Sequence, residues 1–287
     1  MALDIDGVLE GEAIAGVTSL THTSALALRA LLRHGYRPVL MTGRSLADVE
    51  DRCAALGLAG GVAEYGSVLF DAGGSTVSML SDHRLRNVAR ARDAIARVPG
   101  VQIEPTYRYS VRAFTNTRDG RRRAPHAALV EDALRSAGLH GSVEVITGDA
   151  QVDVVAVDAS KGTGLAKLAR LLGAGSEGIA LAVGDGPRDV DAFRLARLSV
   201  APAHAPAAVR AAASRKVRRP YQPGLYDAVR MLIGHRPGTC QLCRMHRMPA
   251  DRAALIGLLS AQERGVHSMA DVAATLAFRN LWELFRR

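Results

Sequence analysis

Arg37-Pro38-Val39-Leu40-Met41-Thr42-Gly43-Arg44-Ser45 governs the reading of the whole chain. An apolar strand runs from Arg37 to Met41 and stops abruptly at small and polar residues. Helical patterns stand on both sides of it. Ser24 to His34 carries Leu26, Leu28, Leu31 and Leu32 at helical spacing, with Gly35 placed to end the helix. Leu46 to Leu56 forms a second helix closed by Gly57. Further out, Met1-Ala2-Leu3 runs into Asp4-Ile5-Asp6-Gly7-Val8-Leu9 as a short buried strand ending in a turn. Gly61-Val62-Ala63 is a third strand, followed by Glu64-Tyr65-Gly66. Strand, helix, strand, helix, strand is the order from which a parallel sheet covered by helices is built.

The rhythm breaks after Phe70. Val68 to Leu80 reads as a hairpin around Gly73-Gly74, Asp82 to Arg97 as an amphipathic helix, and Val101 to Asn116 as alternating strands. The basic turn Asp119-Gly120-Arg121-Arg122-Arg123 follows, then a helix over Pro125 to Ala137 and a strand pair over Val143 to Val157. The parallel rhythm resumes with a helix from Lys161 to Leu172, a buried strand over Ile179 to Val183 and the turn Gly184-Asp185-Gly186. Asp189 to Ala196 is expected to be helical, Ser199-Val200-Ala201 a short strand and Ala205 to Arg215 a helix. The expected organisation is an α/β core over 1–80 and 158–234, an α+β insert over 81–157, and a Cys/His-containing helical extension over 235–287.

Bulk properties set the frame. Hydrophobic residues make up 48% and charged residues 23%, which suits a packed globular protein. Aromatics are only 4%, so the core must come mainly from Ala, Val and Leu. No apolar run of 18 residues and no basic-then-apolar leader occurs, so neither a membrane span nor a secretory signal is expected. Three cysteines do not make a disulfide framework, and the cytoplasm is the expected compartment. The net charge of +9 invites a nucleic-acid reading. Three lysines against 34 arginines is, however, the skew of a GC-rich genome, so nucleic acid ranks behind an anionic small substrate.

The polar residues sit where open α/β sheets bind ligands, at the carboxyl ends of strands. Asp4 and Asp6 follow the first strand, Thr42 the second, Asp185 and Asp189 a later one, and Lys161 starts the helix before that one. If the strands are neighbours, the six side chains share one crevice. Carboxylates brought together there repel, and a hard divalent cation, Mg²⁺ above all, relieves this while leaving room for a phosphate. A carboxylate nucleophile in a cationic pocket suits phosphoryl transfer.

These motifs resemble those of the haloacid dehalogenase superfamily. Asp4-Ile5-Asp6-Gly7-Val8 is similar to its first motif, Val39 to Arg44 to its second, Ser160-Lys161-Gly162 to its third and Gly184 to Asp189 to its fourth. The resemblance covers residues 1 to about 234 and implies a Rossmann-like core with an inserted C2-type cap. It also implies roles. Asp4 is the nucleophile, Asp6 the general acid and base, Thr42 a ligand of a phosphoryl oxygen, and Lys161 the link between nucleophile and phosphate. Gly43 and Arg44 stand at the substrate's phosphate, with Arg44 at the mouth of the site. Asp4, Asp6, Asp185 and Asp189 form the Mg²⁺ site. The implied activity is a magnesium-dependent phosphomonoesterase acting on a sugar phosphate or similar metabolite through an aspartyl-phosphate. A phosphomutase or phosphotransferase using the same aspartate is the alternative within the enzyme class. A catalytically silent member that binds nucleic acid or protein is the alternative outside it.

Ala63-Glu64-Tyr65-Gly66 and Asp189-Val190-Asp191-Ala192-Phe193 resemble elements of the Cof-type, sucrose-phosphate and trehalose-phosphate phosphatases. Departures are Gly186 and Val190, where acidic residues are usual, and Arg188, where Asn or Thr is common. The chain begins unusually close to Asp4, which leaves open whether Met1 is the true start. In the cap, Arg108, Arg112 and Arg121 to Arg123 are candidate substrate contacts, with a solvated surface as the competing reading. In the extension, Cys240-x-x-Cys243-x-x-His246 offers ligand types that zinc accepts, with His235 as a fourth and His267 the only later candidate. Packed reduced thiols and redox chemistry compete with that reading. Helices after Asp251 have apolar spacing suited to packing on the body or on a second subunit as a homodimer.

Overall fold

The computed structural model describes residues 1–11, 20–174 and 178–244. Its elements run β1 (Ala2–Leu3), α1 (His22–Arg33), β2 (Val39–Met41), α2 (Leu46–Leu56), β3 (Gly60–Ala63), β4 (Val68–Asp71) and β5 (Thr76–Ser78). Next come α3 (Asp82–Ala96), β6 (Gln102–Ile103), β7 (Val111–Asn116), β8 (Arg122–Arg123), α4 (Ala127–Ser136), β9 (Val143–Thr147) and β10 (Val152–Ala156). The chain then returns through α5 (Lys161–Leu171), β11 (Ile179–Val183), α6 (Val190–Phe193), β12 (Ala196–Ala201), α7 (Ala207–Ala212), β13 (Arg215–Lys216) and α8 (Tyr221–Ile233). Among the described residues no helix is long and apolar enough to cross a membrane.

One sheet has the order β13-β12-β11-β1-β2-β3-β4-β5. Its strands are parallel from β13 to β3; β4 runs against them, and β5, antiparallel to β4, returns to their direction. β1 lies at the centre, with Leu3 beside both Val183 and Leu40. Its length of two residues is therefore no weakness, because both edges are hydrogen-bonded and both faces covered. Leu28 and Leu31 of α1, Val49 of α2, and Leu225 and Val229 of α8 pack on one face. Leu165 and Leu168 of α5, Phe193 of α6 and Val209 of α7 pack on the other. Helices on both faces are what a parallel sheet requires. The largest fully buried side chains are all Leu, Ile or Met, as the scarcity of aromatics demands.

The chain between β5 and α5 builds a second sheet, β6-β7-β10-β9, with β8 paired to β7 and every pair antiparallel. Val152 and Val154 of β10 face α3 and α4, where Val88, Ile95, Val130 and Leu134 complete a separate core. The period of two then turns Asp153 to the opposite side, where its carboxylate takes a 2.6 Å hydrogen bond from the Tyr65 hydroxyl. Asp153 also accepts two bonds from Arg112, at 2.7 and 2.8 Å.

Two sequence expectations are corrected here. The helix expected over Asp189 to Ala196 is a 3₁₀ turn at Pro187–Asp189 followed by the four-residue α6, and Ala196 already belongs to β12. Pairing with β11 in register, Ile179 with Ala196 and Leu181 with Leu198, overrides local helix propensity. The helix expected to Arg215 ends at Ala212, because Arg215 and Lys216 pair with Val200 and Ala201 as an edge strand. The chain also forms α8, which lies beside α1 and which the sequence reading did not anticipate. The helices expected after Asp251 lie outside the described residues.

The two sheets are tied together at Glu64. Glu64 and Tyr65 both have left-handed backbones, with φ of 47° and 62°. That conformation costs on the order of 1 kcal/mol per non-glycine residue. Backbone bonds hold it in place, from Glu64 N–H to the Arg44 carbonyl and from Tyr65 N–H to the Thr42 carbonyl. The fully buried Glu64 carboxylate accepts from the Arg108 and Tyr109 amides, at 3.2 and 2.8 Å, and from the Ser110 hydroxyl at 2.8 Å. Burial raises its pKa against the pull of those bonds. Arg188 makes a second tie, an ion pair of 2.6 Å to Glu144 of β9 with its guanidinium 5.5 Å from the Tyr65 ring centroid. Glu64→Ala strips three donors of their buried acceptor and is expected to destabilise the fold by about 2–3 kcal/mol, read as a lowered urea midpoint. Substituting a surface carboxylate such as Glu50 should leave the midpoint nearly unchanged.

Candidate active site

Parallel strands put their carboxyl ends on one edge, and here that edge collects Asp4 after β1, Thr42 after β2 and Asp185 after β11. The backbone continues the sheet for one more residue at two of these. The Asp4 amide donates to the Val183 carbonyl at 3.0 Å, and the Thr42 amide to the Val62 carbonyl at 2.9 Å. That pairing fixes where both side chains point. Ser160 caps α5 by accepting from the Gly162 and Thr163 amides, so Lys161 enters the site on the first turn of a helix.

Lys161 is buried and joins two buried carboxylates. Its ammonium donates to Asp4 Oδ2 at 3.0 Å and to Asp189 Oδ1 at 2.7 Å. The second oxygen of Asp189 accepts from the Asp185 and Gly186 amides, at 3.1 and 2.8 Å. Asp189 is thus occupied on both sides, and it shapes the loop that presents Asp185. Asp4 Oδ1 accepts from the Ile5 amide at 2.8 Å.

Carboxylate oxygens of Asp4, Asp185 and Asp189 lie within 4.8 Å of one another. Burial, then the charge of Asp189, push the Asp4 carboxyl well above its usual range; Lys161 opposes this and Asp185 adds to it. For Lys161, burial works against the charged form, but Asp189 and Asp4 outweigh it and the ammonium is strongly favoured. Three carboxylates therefore face one ammonium, and the nucleophile candidate is disfavoured in its ionised form. The all-oxygen donor set with its excess of negative charge fits a hard divalent cation such as Mg²⁺, held by Asp4 and Asp185 and oriented by Asp189.

His204 went unnoticed in the sequence, where nothing marks it. Its Nδ1 accepts from the Tyr221 amide at 3.1 Å, which leaves the proton on Nε2 to donate to Asp185 Oδ2 at 2.9 Å. The imidazole also stacks on the Tyr221 ring, with centroids 4.0 Å apart. Gly7 is required beneath this group: its φ is +76°, and a Cβ there would collide with the Asp185 carboxylate.

Asp6 and Arg44 form the mouth. Arg44 grips Asp6 through Nε at 2.9 Å and Nη2 at 2.5 Å, and Asp6 is more than half exposed. Burial pushes the Asp6 carboxyl up, but the bonds and charge of Arg44, with Arg112 further off, hold it below the ordinary range. Glu10, also overlooked in the sequence, lies 3.4 Å from Arg44 and pairs with Arg52, so it braces the guanidinium. Thr42 is buried, and its Oγ1 accepts the Arg44 amide at 3.1 Å, which leaves the hydroxyl proton for another acceptor. Gly43 lies against the Tyr65 ring, where a Cβ would overlap it.

Among the arginines of residues 81–157, Arg112 is paired with the buried Asp153, and its guanidinium covers the Tyr107 ring at 4.4 Å. The Tyr107 hydroxyl is buried without a hydrogen-bond partner among the described residues. Arg108 and Arg121 to Arg123 are exposed. Arg121 pairs with Asp119 and Arg122 with Glu104, the arrangement of a solvated surface. Cys240 and Cys243 lie away from this site, beside His235 and His34, while His246 and His267 lie outside the described residues.

Comparison with known proteins agrees with this geometry. Residues 139–229 match the family model for haloacid dehalogenase-like hydrolases. The chain is 28% identical over 233 residues to a phosphoglycolate phosphatase of Aeropyrum pernix, covering 81% of this chain and 92% of that protein. The Thermoplasma acidophilum protein 0175 has a similar structure, with a TM-score of 0.63 at 17% identity over 81% of this chain and 96% of that one. The sucrose-phosphatase of Synechocystis superposes with a TM-score of 0.56 at 14% identity, over 81% and 97%. At such identities the structural likenesses speak for the fold.

His204 touches the metal site only through Asp185, so His204→Ala should leave the fold intact by circular dichroism. Mg²⁺ affinity, measured by calorimetry, is expected to fall by about 10–100-fold, the usual cost of removing an outer partner of a metal ligand.

Proposed function

We propose that this chain, a phosphatase of the haloacid dehalogenase superfamily, is a Mg²⁺-dependent phosphomonoesterase acting on a small phosphorylated metabolite, a sugar phosphate or one like it. One observation carries the reading: a buried carboxylate at the end of the central strand, bridged by a buried lysine and lying within 4.8 Å of two further carboxylates. A structural role alone gives no reason to bury so much like charge, since unpaired buried carboxylates cost several kcal/mol each, of order ~2–5.

In this reading Asp4 attacks phosphorus, forming an aspartyl-phosphate as the bond to the leaving oxygen breaks. Lys161 keeps the nucleophile aimed and neutralises charge on the phosphoryl group. The Thr42 hydroxyl, free to donate, binds a phosphoryl oxygen. Asp4, Asp185 and Asp189 would hold Mg²⁺, which would supply neutralisation of negative charge at the site. Asp6 gives its proton to the leaving oxygen and later takes one from the water that hydrolyses the intermediate. Arg44 holds Asp6 in its ionised form, so arrival of a phosphate dianion has a second consequence. The dianion competes for the guanidinium, and Asp6, once freed from Arg44, takes up a proton from solvent and turns toward the leaving group as its acid.

The module over 81–157 serves as the cap in this scheme. Of its arginines, Arg112, whose charge is felt at Asp6, is the one we assign to the substrate side. The structural neighbours include a sucrose-phosphatase, which favours a sugar phosphate; the relative from Aeropyrum makes phosphoglycolate the natural competitor.

The test is phosphate release from a panel of sugar phosphates and 2-phosphoglycolate, with Mg²⁺ and with chelator. Mg²⁺-dependent release is expected, and Asp4→Asn should lower kcat by roughly 10³-fold or more. Lys161→Met should lower it comparably. Release from no member of the panel, or undiminished release by Asp4→Asn, would overturn the reading. Transfer of phosphate to a second sugar hydroxyl in place of water would point to phosphotransfer from the same aspartate.

A further inference from the structure

His34, His235, Cys240 and Cys243 come together on the side of the molecule formed by α1 and α8. We propose that these four residues form a structural zinc site that fastens the segment after α8 to the end of α1. This inference is independent of the phosphatase reading.

The distances suit a tetrahedral ion. Cys240 Sγ and Cys243 Sγ are 3.3 Å apart, Cys240 Sγ is 3.4 Å from His34 Nε2, and Cys243 Sγ is 3.5 Å from His235 Nε2. All four ligand atoms fall within 4.8 Å of one another. Zinc bonds of about 2.3 Å to sulfur and 2.0–2.1 Å to nitrogen give tetrahedron edges of roughly 3.3–3.8 Å. The sulfurs are well beyond the ~2.05 Å of a disulfide bond.

The surroundings are those of a ligand set. His235 Nδ1 lies 2.9 Å from the Ile233 carbonyl, to which it donates, so the Nε2 lone pair is left facing the sulfurs. Backbone amides point at both sulfurs, from Cys243 to Cys240 Sγ at 3.4 Å and from Gly238 to Cys243 Sγ at 3.3 Å. Such donors favour thiolates. Four protein ligands leave no open position, which makes the site structural and not catalytic. A dithiol pair built for redox exchange has no use for two imidazoles converging on it.

The linkage is long in sequence and short in space. His34 caps the C-terminus of α1, and the neighbouring arginines of α1 reach the same segment. Arg33 Nε donates to the Leu242 carbonyl at 3.1 Å, and Arg29 Nη2 to the Arg244 carbonyl at 3.4 Å. Zinc here would close a loop of about 200 residues and add a covalent-strength link to the hydrogen bonds from Arg29 and Arg33. The third cysteine, Cys53, is buried in the main core and takes no part.

The experiment uses the full chain, purified without chelator and analysed for metal. About one zinc per chain is expected, unaffected by excess Mg²⁺. Replacement with Co²⁺ should give the intense visible bands and sulfur-to-cobalt charge transfer of a tetrahedral site with two thiolates. His34→Ala should weaken zinc binding, measured by competition with a chromophoric chelator, by at least about tenfold, the lower bound for losing even an outer partner. Because that variant could simply misfold, His34→Cys provides the control: it keeps a ligand, so it should retain zinc while shifting the cobalt spectrum toward a third thiolate. His246→Ala should bind zinc as the parent does. The proposal is overturned if the chain binds neither Zn²⁺ nor Co²⁺, or if folded His34→Ala keeps parental affinity. It also fails if His246→Ala abolishes binding, or if anaerobically purified protein carries a Cys240–Cys243 disulfide in place of metal.

Discussion

The buried ammonium of Lys161 is the interaction on which this molecule's chemistry depends. It reaches from the first turn of α5 to Asp4 on the central strand and Asp189 in the loop beyond β11, and so joins three separate parts of the chain. Without it, Asp4 and Asp189 would face each other desolvated and unpaired. With it, the site still carries more negative than positive charge. That residual imbalance disfavours ionised Asp4 and at the same time creates a place for a cation. A site that is electrostatically incomplete in the protein alone is a site organised to receive something charged.

A second layer holds this arrangement in place. Asp189 spends its other oxygen on the amides of Asp185 and Gly186, His204 orients Asp185, and Glu10 braces Arg44. None of these three roles is shared by a solvent-exposed carboxylate or imidazole. The same economy of contacts links the two sheets. Glu64 sits in a left-handed turn one residue beyond β3 and gathers three donors from the loop before β7, while Tyr65 reaches Asp153 on β10. That turn also hydrogen-bonds directly to Thr42 and Arg44, so the second sheet and the strand ends share one piece of backbone. Arg188, which the sequence left without an account, is the ion-pair partner of Glu144 on β9.

The positive charge divides along similar lines. Arg44, Arg52 and Arg112 are partly buried and paired with carboxylates around the cleft. Arg121 and Arg122 are exposed, with local acidic partners. Among the described residues, the arginines around the cleft are thus balanced by carboxylates, while Arg121 and Arg122 belong to solvated surface.

Much was legible in the sequence because it depends on neighbours along the chain. Apolar runs ending in Asp4, Thr42 and Asp185, the spacing of leucines in α1, and the glycines Gly35 and Gly57 that close α1 and α2 are all local signals. They were enough for the parallel core, for the antiparallel module inserted in it, and for the crevice at the strand ends. Tertiary structure decided what depends on residues far apart. Strand pairing with β11 lengthened β12 at the expense of a helix, and pairing with β12 drew out β13. His204, Glu10 and Glu64 acquire roles only through partners that lie 19, 34 and about 45 residues away. His34 meets Cys240 across a separation of 206 residues, which no spacing rule for metal ligands anticipates. Local propensity fixes where strands and helices begin; which side chains then meet is settled by the packing of those elements, and single-residue signals carry no record of it.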